Sequence, residues 1–128
     1  TLSDHLVILD GAHNPQKLRA LASRLERESY SPATIIFALG EHNDYEGSLR
    51  AIKNVCERLI VCEFFSGSSI RRRAISPAQI SSAAQRLGFT NIVKQPIPSL
   101  ALQEALAHPE PIVITGSFYL LGEIDRLF

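Results

Sequence analysis

The chain of 128 residues contains no methionine and opens on Thr1. Removal of an initiator methionine or excision from a longer protein would each produce this, and the motifs below favour excision. Cysteine is nearly absent too: Cys56 and Cys62 are the only two. They are too far apart for a Cys-x-x-Cys pair, and two thiols alone make a poor metal site. Cys62 falls in an apolar run and Cys56 at a helical core position, so both read as buried free thiols in a reducing cytoplasm. Neither sign of charge is in excess, with 13 Lys plus Arg against 13 Asp plus Glu. That balance argues against broad nucleic-acid or anionic-membrane binding, and any anion site must be local. No apolar run approaches the roughly 20 residues of a membrane span. No basic-then-apolar leader opens the chain. There is no Gly-x-x-x-x-Gly-Lys-Ser/Thr phosphate loop, no Gly-x-Gly-x-x-Gly after the first apolar run, and no Gly-x-Ser-x-Gly. The chain therefore has no standard device of its own for gripping a nucleoside triphosphate.

What is present is a core and a rhythm. Hydrophobic residues make up 45%, enough for one real core, and the length suits a single domain. Continuous apolar runs at Leu6–Leu9, Thr34–Leu39, Leu59–Cys62, Asn91–Val93 and Ile112–Thr115 read as parallel strands covered on both faces. Between them the apolar spacing is helical. The stripes are Leu18/Leu21/Ala22/Leu25, Leu49/Ile52/Cys56, Ile80/Ala83/Ala84/Leu87, Ala101/Leu102/Ala105/Leu106 and Leu120/Leu121/Ile124/Phe128. Gly88 reads as a helix stop, and Ser76-Pro77 as an N-cap with proline at the first helical position. The alternation predicts an α/β fold: a three-layer α/β/α, Rossmann-like domain on a mostly parallel five-stranded sheet.

Chemistry-bearing residues gather where strands should give way to helices. Asp10-Gly11-Ala12-His13-Asn14-Pro15 follows the first strand. Ligands collect at the carboxyl ends of strands in open sheets, and helix N-termini suit anions. Asp10 can accept from ribose hydroxyls or help hold a metal, or it can bond neighbouring loop amides. His13 can bind a phosphate or base or shuttle a proton, though a lone loop histidine is more often structural. Asn14-Pro15 reads best as a cap and first helical residue. Ser117, after the last strand, can cap the final helix or present its hydroxyl to a carboxylate. Tyr119 can line the same pocket or pack on the sheet. Asp44, in Glu41–Asp44, can cap the second helix. Arg71-Arg72-Arg73, in the segment Phe65–Ile75 after the third strand, is either a solvated run or a guanidinium cluster for carboxylate or phosphate. His5 and His108 have no local company that suggests chemistry.

Taken together, these residues resemble the C-terminal domain of the folylpolyglutamate synthase and dihydrofolate synthase family, within the Mur ligase superfamily. Leu9-Asp10-Gly11-Ala12-His13-Asn14-Pro15 is similar to the signature that opens that domain, and Gly11 favours the folate branch over the cell-wall ligases. Ile114-Thr115-Gly116-Ser117-Phe118-Tyr119-Leu120 with Gly122-Glu123 resembles its closing segment. Asp44 and Arg73-Ala74 match two further positions. Asn43 departs from the pattern, standing where the family often has lysine.

The resemblance implies one C-terminal ligase domain, residues 1–128, cut from a larger enzyme. ATP and magnesium would be held mainly by a central ATPase domain against which this one packs. A carboxylate of a folate or dihydropteroate would become an acyl phosphate, which the amino group of L-glutamate then attacks. Asp10 and His13 would lie on the ATP side, with His13 in the catalytic role. Ser117 and Arg73 would lie on the glutamate side, and no residue of this chain would be a metal ligand. The first and last strands would be neighbours. The family's antiparallel edge strand has no counterpart in the sequence, so the first strand's edge should be open, and an open edge invites pairing with another chain. Two alternatives stand beside this reading: a Mur-type ligase domain for another substrate, and a non-catalytic binding module of the same fold. Lacking a phosphate loop, the purified chain alone should show no ATP-dependent joining of glutamate to a folate; measurable product in a radiolabelled-glutamate assay would overturn that expectation.

Overall fold

The computed structural model describes residues 5–64 and 74–127. Strands and helices alternate as β1 (Val7–Asp10), α1 (Pro15–Arg27), β2 (Ala33–Phe37), α2 (Tyr45–Ile52), β3 (Cys56–Val61), α3 (Pro77–Arg86), β4 (Ile92–Lys94), α4 (Pro98–Leu106), β5 (Ile112–Thr115) and α5 (Phe118–Asp125). All the strand pairs are parallel, in the order β1-β5-β2-β3-β4. The chain thus builds outward from β1 through β2 and β3 to β4, then returns to lay β5 between β1 and β2.

Two apolar layers flank the sheet. Leu18, Leu21, Ala22 and Leu25 of α1, Leu49 and Ile52 of α2, and Ile80, Ala83 and Ala84 of α3 pack with Ile35 and Phe37 on one face. Ala101, Leu102 and Ala105 of α4 and Leu120 and Ile124 of α5 pack with Ile36, Ile112 and Ile114 on the other. Alternate β2 residues feed opposite layers, as the two-residue period of a strand requires. Each fully buried Leu, Ile or Phe contributes about 1.5–3 kcal/mol. The central strands β2 and β5 are buried at every position, whereas the edge strands β1 and β4 are not. Leu6, just ahead of β1, and Leu9 within it are exposed, and among the described residues no strand pairs the outer side of β1. No described helix is long and apolar enough to cross a membrane.

The helix starts follow local chemistry. Asn14 Oδ1 accepts from the Lys17 amide at 2.9 Å with Pro15 at the first helical position, and Ser76 Oγ accepts from the Gln79 amide at 3.2 Å ahead of Pro77. Asp44 caps α2 through the Gly47 amide at 2.9 Å. Past α3, Gly88 adopts φ +94° and turns the chain so that the amide of Phe89 bonds back to Ala84.

One helical stripe does not run as the spacing predicts. Cys56 is the first residue of β3 rather than a helical core residue. After Ile52 the helix tightens into a 3-10 turn, Lys53–Val55, and this rotation hands the buried position to Val55. Cys56 then pairs with Ala33 of β2. Burial still governs both thiols: it pushes Cys56 up to about 12 and Cys62 higher, so both remain protonated and weakly nucleophilic at neutral pH.

A polar clasp at the amino ends of the strands has no sequence signature. Thr34 Oγ1 donates to Glu110 Oε1 at 2.9 Å, and Arg58 Nη1 donates to Thr34 Oγ1 at 3.3 Å while pairing with Glu110 Oε1. The two charged side chains are 13% and 18% exposed. Burial alone would raise the Glu110 carboxyl, but the bonds from Thr34 and Arg58 and the charge of Arg58 outweigh it and hold the group below its ordinary value. A depressed carboxyl contributes stability that is complete above the unfolded-chain value of about 4.3 and is lost as pH falls through the folded one. Glu110→Gln should therefore lower the unfolding free energy at pH 7 by about 1–3 kcal/mol, and the gap to the parent should narrow below about pH 4. Urea titrations across that range check both the size and the direction.

Candidate functional site

The carboxyl ends of β1, β5 and β2 make one rim. Connections from β1 and β2 leave toward the α1–α3 layer, while that from β5 leaves toward α5 on the opposite face. A crevice opens where neighbouring connections diverge in this way. Asp10 pairs with Thr115 at the last register position of β1 and β5. The loop after β1 is tied to β5 through one carbonyl. Ala12 O accepts from the Gly116 amide at 2.9 Å and from Thr115 Oγ1 at 3.2 Å. Gly116 adopts φ +106°, and a Cβ there would overlap the Ala38 carbonyl oxygen just past β2. Only glycine meets both conditions.

Asp10, His13 and Ser117 each have a definite place on this rim. Asp10 Oδ1 accepts from the Ala12 amide at 2.8 Å, and Arg24 Nη1 stands 3.9 Å from Oδ2. Asp10 therefore braces the loop and still presents an oxygen to the cleft. His13 Nδ1 lies 3.2 Å from the Gly11 carbonyl oxygen. A carbonyl can only accept, so Nδ1 carries the proton, which leaves Nε2 as an acceptor in the neutral ring. Ser117 Oγ accepts from the Tyr119 amide at 3.1 Å and caps α5; the residue is 6% exposed. Tyr119 packs against the sheet, its ring stacked on Phe64 at 5.5 Å. In the loop after β2, Asp44 is engaged as a cap, Asn43 Nδ2 donates to the Gly40 carbonyl at 2.9 Å, and Gly40 bridges Ala74. Arg73, with Arg71 and Arg72, lies outside the described residues. His5 reaches the backbone oxygen of His108 at 2.7 Å, both ahead of the amino ends of β1 and β5 and so at the other end of the strands from the rim.

Around Asp10 the surface opens into a cleft of about 510 Å³, lined by Asp10, Gly11, Ala12, Lys17, Ala20, Leu21, Arg24, Arg27 and Phe118. Sequence reasoning missed two of its features. Lys17, Arg24 and Arg27 line one side of α1, a spacing legible once the helix is assigned but hidden by the chain's zero net charge. Phe118 reads as one more apolar residue of the last helix, yet it is 67% exposed with its ring 6.0 Å from that of His13. Among the described residues, no group of three or more His, Cys, Asp or Glu could hold a metal ion. The arrangement suits a ligand with hydroxyl donors, negative charge and a flat apolar part.

A parallel sheet whose first and last strands meet under such a crevice defines a doubly wound α/β domain. The chain belongs to the family described as dihydrofolate synthetase, C-terminal domain, whose profile matches residues 2–127. It is 28% identical over 129 residues to the dihydrofolate synthetase of Saccharomyces cerevisiae, an alignment covering 94% of this chain and 30% of that protein. The chain thus spans about 30% of the length of that curated relative. Its fold matches the crystal structure of Mycobacterium tuberculosis folylpolyglutamate synthase complexed with ADP and AMPPCP, with TM-score 0.79, 26% identity, and coverage of 94% of this chain and 29% of that one. The bifunctional folylpolyglutamate synthase/dihydrofolate synthase of Yersinia pestis, complexed with AMPPNP and Mn, shares the fold with TM-score 0.81 at 18% identity, over 97% of this chain and 28% of that one.

Two substitutions separate the local roles at the rim. Asn14→Ala should cost about 1 kcal/mol as a lost helix cap. Gly116→Ala should cost at least about 2 kcal/mol, because it adds backbone strain to a collision with Ala38. Denaturant midpoints of the two variants should fall in that order.

Proposed function

We propose that this chain is the C-terminal domain of a larger ATP-dependent ligase that joins L-glutamate to a carboxylate of a folate or dihydropteroate. The observation that carries the reading is the convergence, at one rim, of Asp10 and His13 from the loop after β1 with Ser117 from the loop after β5, in a chain of this family. The domain would supply one wall of a site whose phosphate-gripping wall, with its magnesium, belongs to a preceding ATPase domain. The nucleotide bound to the Mycobacterium tuberculosis relative supports this assignment.

The chain's own residues fit that role. Asp10 offers a carboxylate oxygen of the kind ribose hydroxyls donate to, and the Ala12 amide holds its orientation. His13, with Nδ1 committed to Gly11, presents Nε2 for a hydrogen bond or a proton. The Ser117 hydroxyl accepts from the Tyr119 amide and retains its own proton to donate to a glutamate carboxylate. Arg73 belongs to the glutamate side in this proposal. Closing the rim onto the ATPase domain would exclude water from a short-lived acyl phosphate before the amine attacks it. The outer side of β1 is where a further strand of the larger protein would add. A cytoplasmic setting suits two free thiols, Cys56 half-buried and Cys62 buried.

The test is a chimera in which this chain replaces the corresponding domain of the Saccharomyces cerevisiae relative. The folded chimera should incorporate glutamate in an ATP-dependent manner into dihydropteroate or a reduced folate. Asp10→Ala and His13→Ala should each lower kcat/KM by roughly tenfold or more, the scale of a lost charged hydrogen bond or a lost general acid–base group. A folded chimera inactive with both acceptors would sink the proposal.

A further inference from the structure

We propose that Phe118 is a stacking platform for the purine base of the bound nucleotide. This rests on the nucleotide reading of the Asp10 cleft and extends it to a residue that reading does not use.

Phe118 is the most exposed of the large hydrophobic side chains along the described chain, at 67%, although burial of its ring would be favourable. Its position is nonetheless fixed. The ring lies over Gly11, and a Cβ at residue 11 would stand 2.7 Å from Cδ1 and 2.8 Å from Cζ. The missing side chain at Gly11 is thus what lets an aromatic ring settle onto the backbone of the loop. The His13 ring meets it at 51° with centroids 6.0 Å apart. This is an ordinary tilted aromatic contact with no room for a third ring between the two, so a base would stack on the part of the Phe118 ring left exposed. The same cleft holds the Asp10 carboxylate, an acceptor for ribose hydroxyls, and the ammonium of Lys17 for negative charge. Its volume of about 510 Å³ has room for a nucleoside. The cleft thus offers an apolar face, an acceptor and a cation, the three kinds of contact that base, sugar and phosphate each need.

The experiment is saturation-transfer NMR on the 128-residue chain with millimolar ATP, with tripolyphosphate as the ligand lacking base and sugar. Irradiating the Phe ring protons should transfer to adenine H2 and H8. Phe118→Ala should sharply reduce the transfer and weaken ATP binding roughly tenfold, the scale of base stacking on an aromatic side chain, while leaving tripolyphosphate binding unchanged. Phe118→Trp should restore both signals, which a purely structural loss would not allow, and circular dichroism confirms that each variant is folded. Equal adenine transfer in Phe118→Ala and the parent would overturn the inference. Should that result coincide with loss of ATP binding in Asp10→Asn, the nucleotide reading stands and only the role of Phe118 falls. Where the chain alone gives no ATP-specific signal, the comparison moves to the chimera that restores the phosphate-gripping domain, and unchanged ATP affinity in its Phe118→Ala form would overturn the inference.

Discussion

The backbone carbonyl of Ala12 joins the two ends of the domain. It receives the Gly116 amide and the Thr115 hydroxyl, and so closes the loop after β1 onto the end of β5, about a hundred residues later. That closure is possible only because Gly116 takes a left-handed backbone conformation beside the Ala38 carbonyl oxygen. The arrangement of the rim depends on it. Asp10 is held by the amide of the same Ala12, the His13 ring is held by the neighbouring Gly11 carbonyl, and Ser117 begins α5 one residue after Gly116.

The scaffold was readable from the sequence because parallel strands buried on both faces leave continuous apolar runs, and β2 and β5 are buried at every position. Helix starts were readable because asparagine, serine and aspartate before a helix have few other uses, as Asn14, Ser76 and Asp44 show. Cys56 misled for a physical reason: a 3-10 turn changes the angular step per residue, and no apolar count registers that. The clasp of Thr34, Arg58 and Glu110 was invisible because its members are distant in sequence and each is ordinary at its own position.

The candidate site was legible in part. Asp10, His13 and Ser117 announced themselves by type and by their place after strands. Phe118 did not, because an aromatic residue beside Tyr119 and Leu120 looks like core, and only the three-dimensional placement shows it facing outward over Gly11. Lys17, Arg24 and Arg27 were likewise lost in a chain with equal numbers of acidic and basic residues. Net charge is a sum over the whole molecule, whereas a ligand meets only the charges within about 10 Å, the screening length of ordinary salt.

The clasp and the cleft sit at opposite ends of the strands. Along β2, Thr34 at the amino end and Ala38 beside the rim are separated by about 13 Å, from a rise of about 3.3 Å per residue. Substitutions that far apart, with no shared partners, combine almost additively in their effect on stability. The domain is therefore divided lengthwise into an anchoring end and an end that carries the candidate site. The cleft can be reshaped for a different ligand without loosening the clasp, and the clasp can be strengthened without stiffening the cleft.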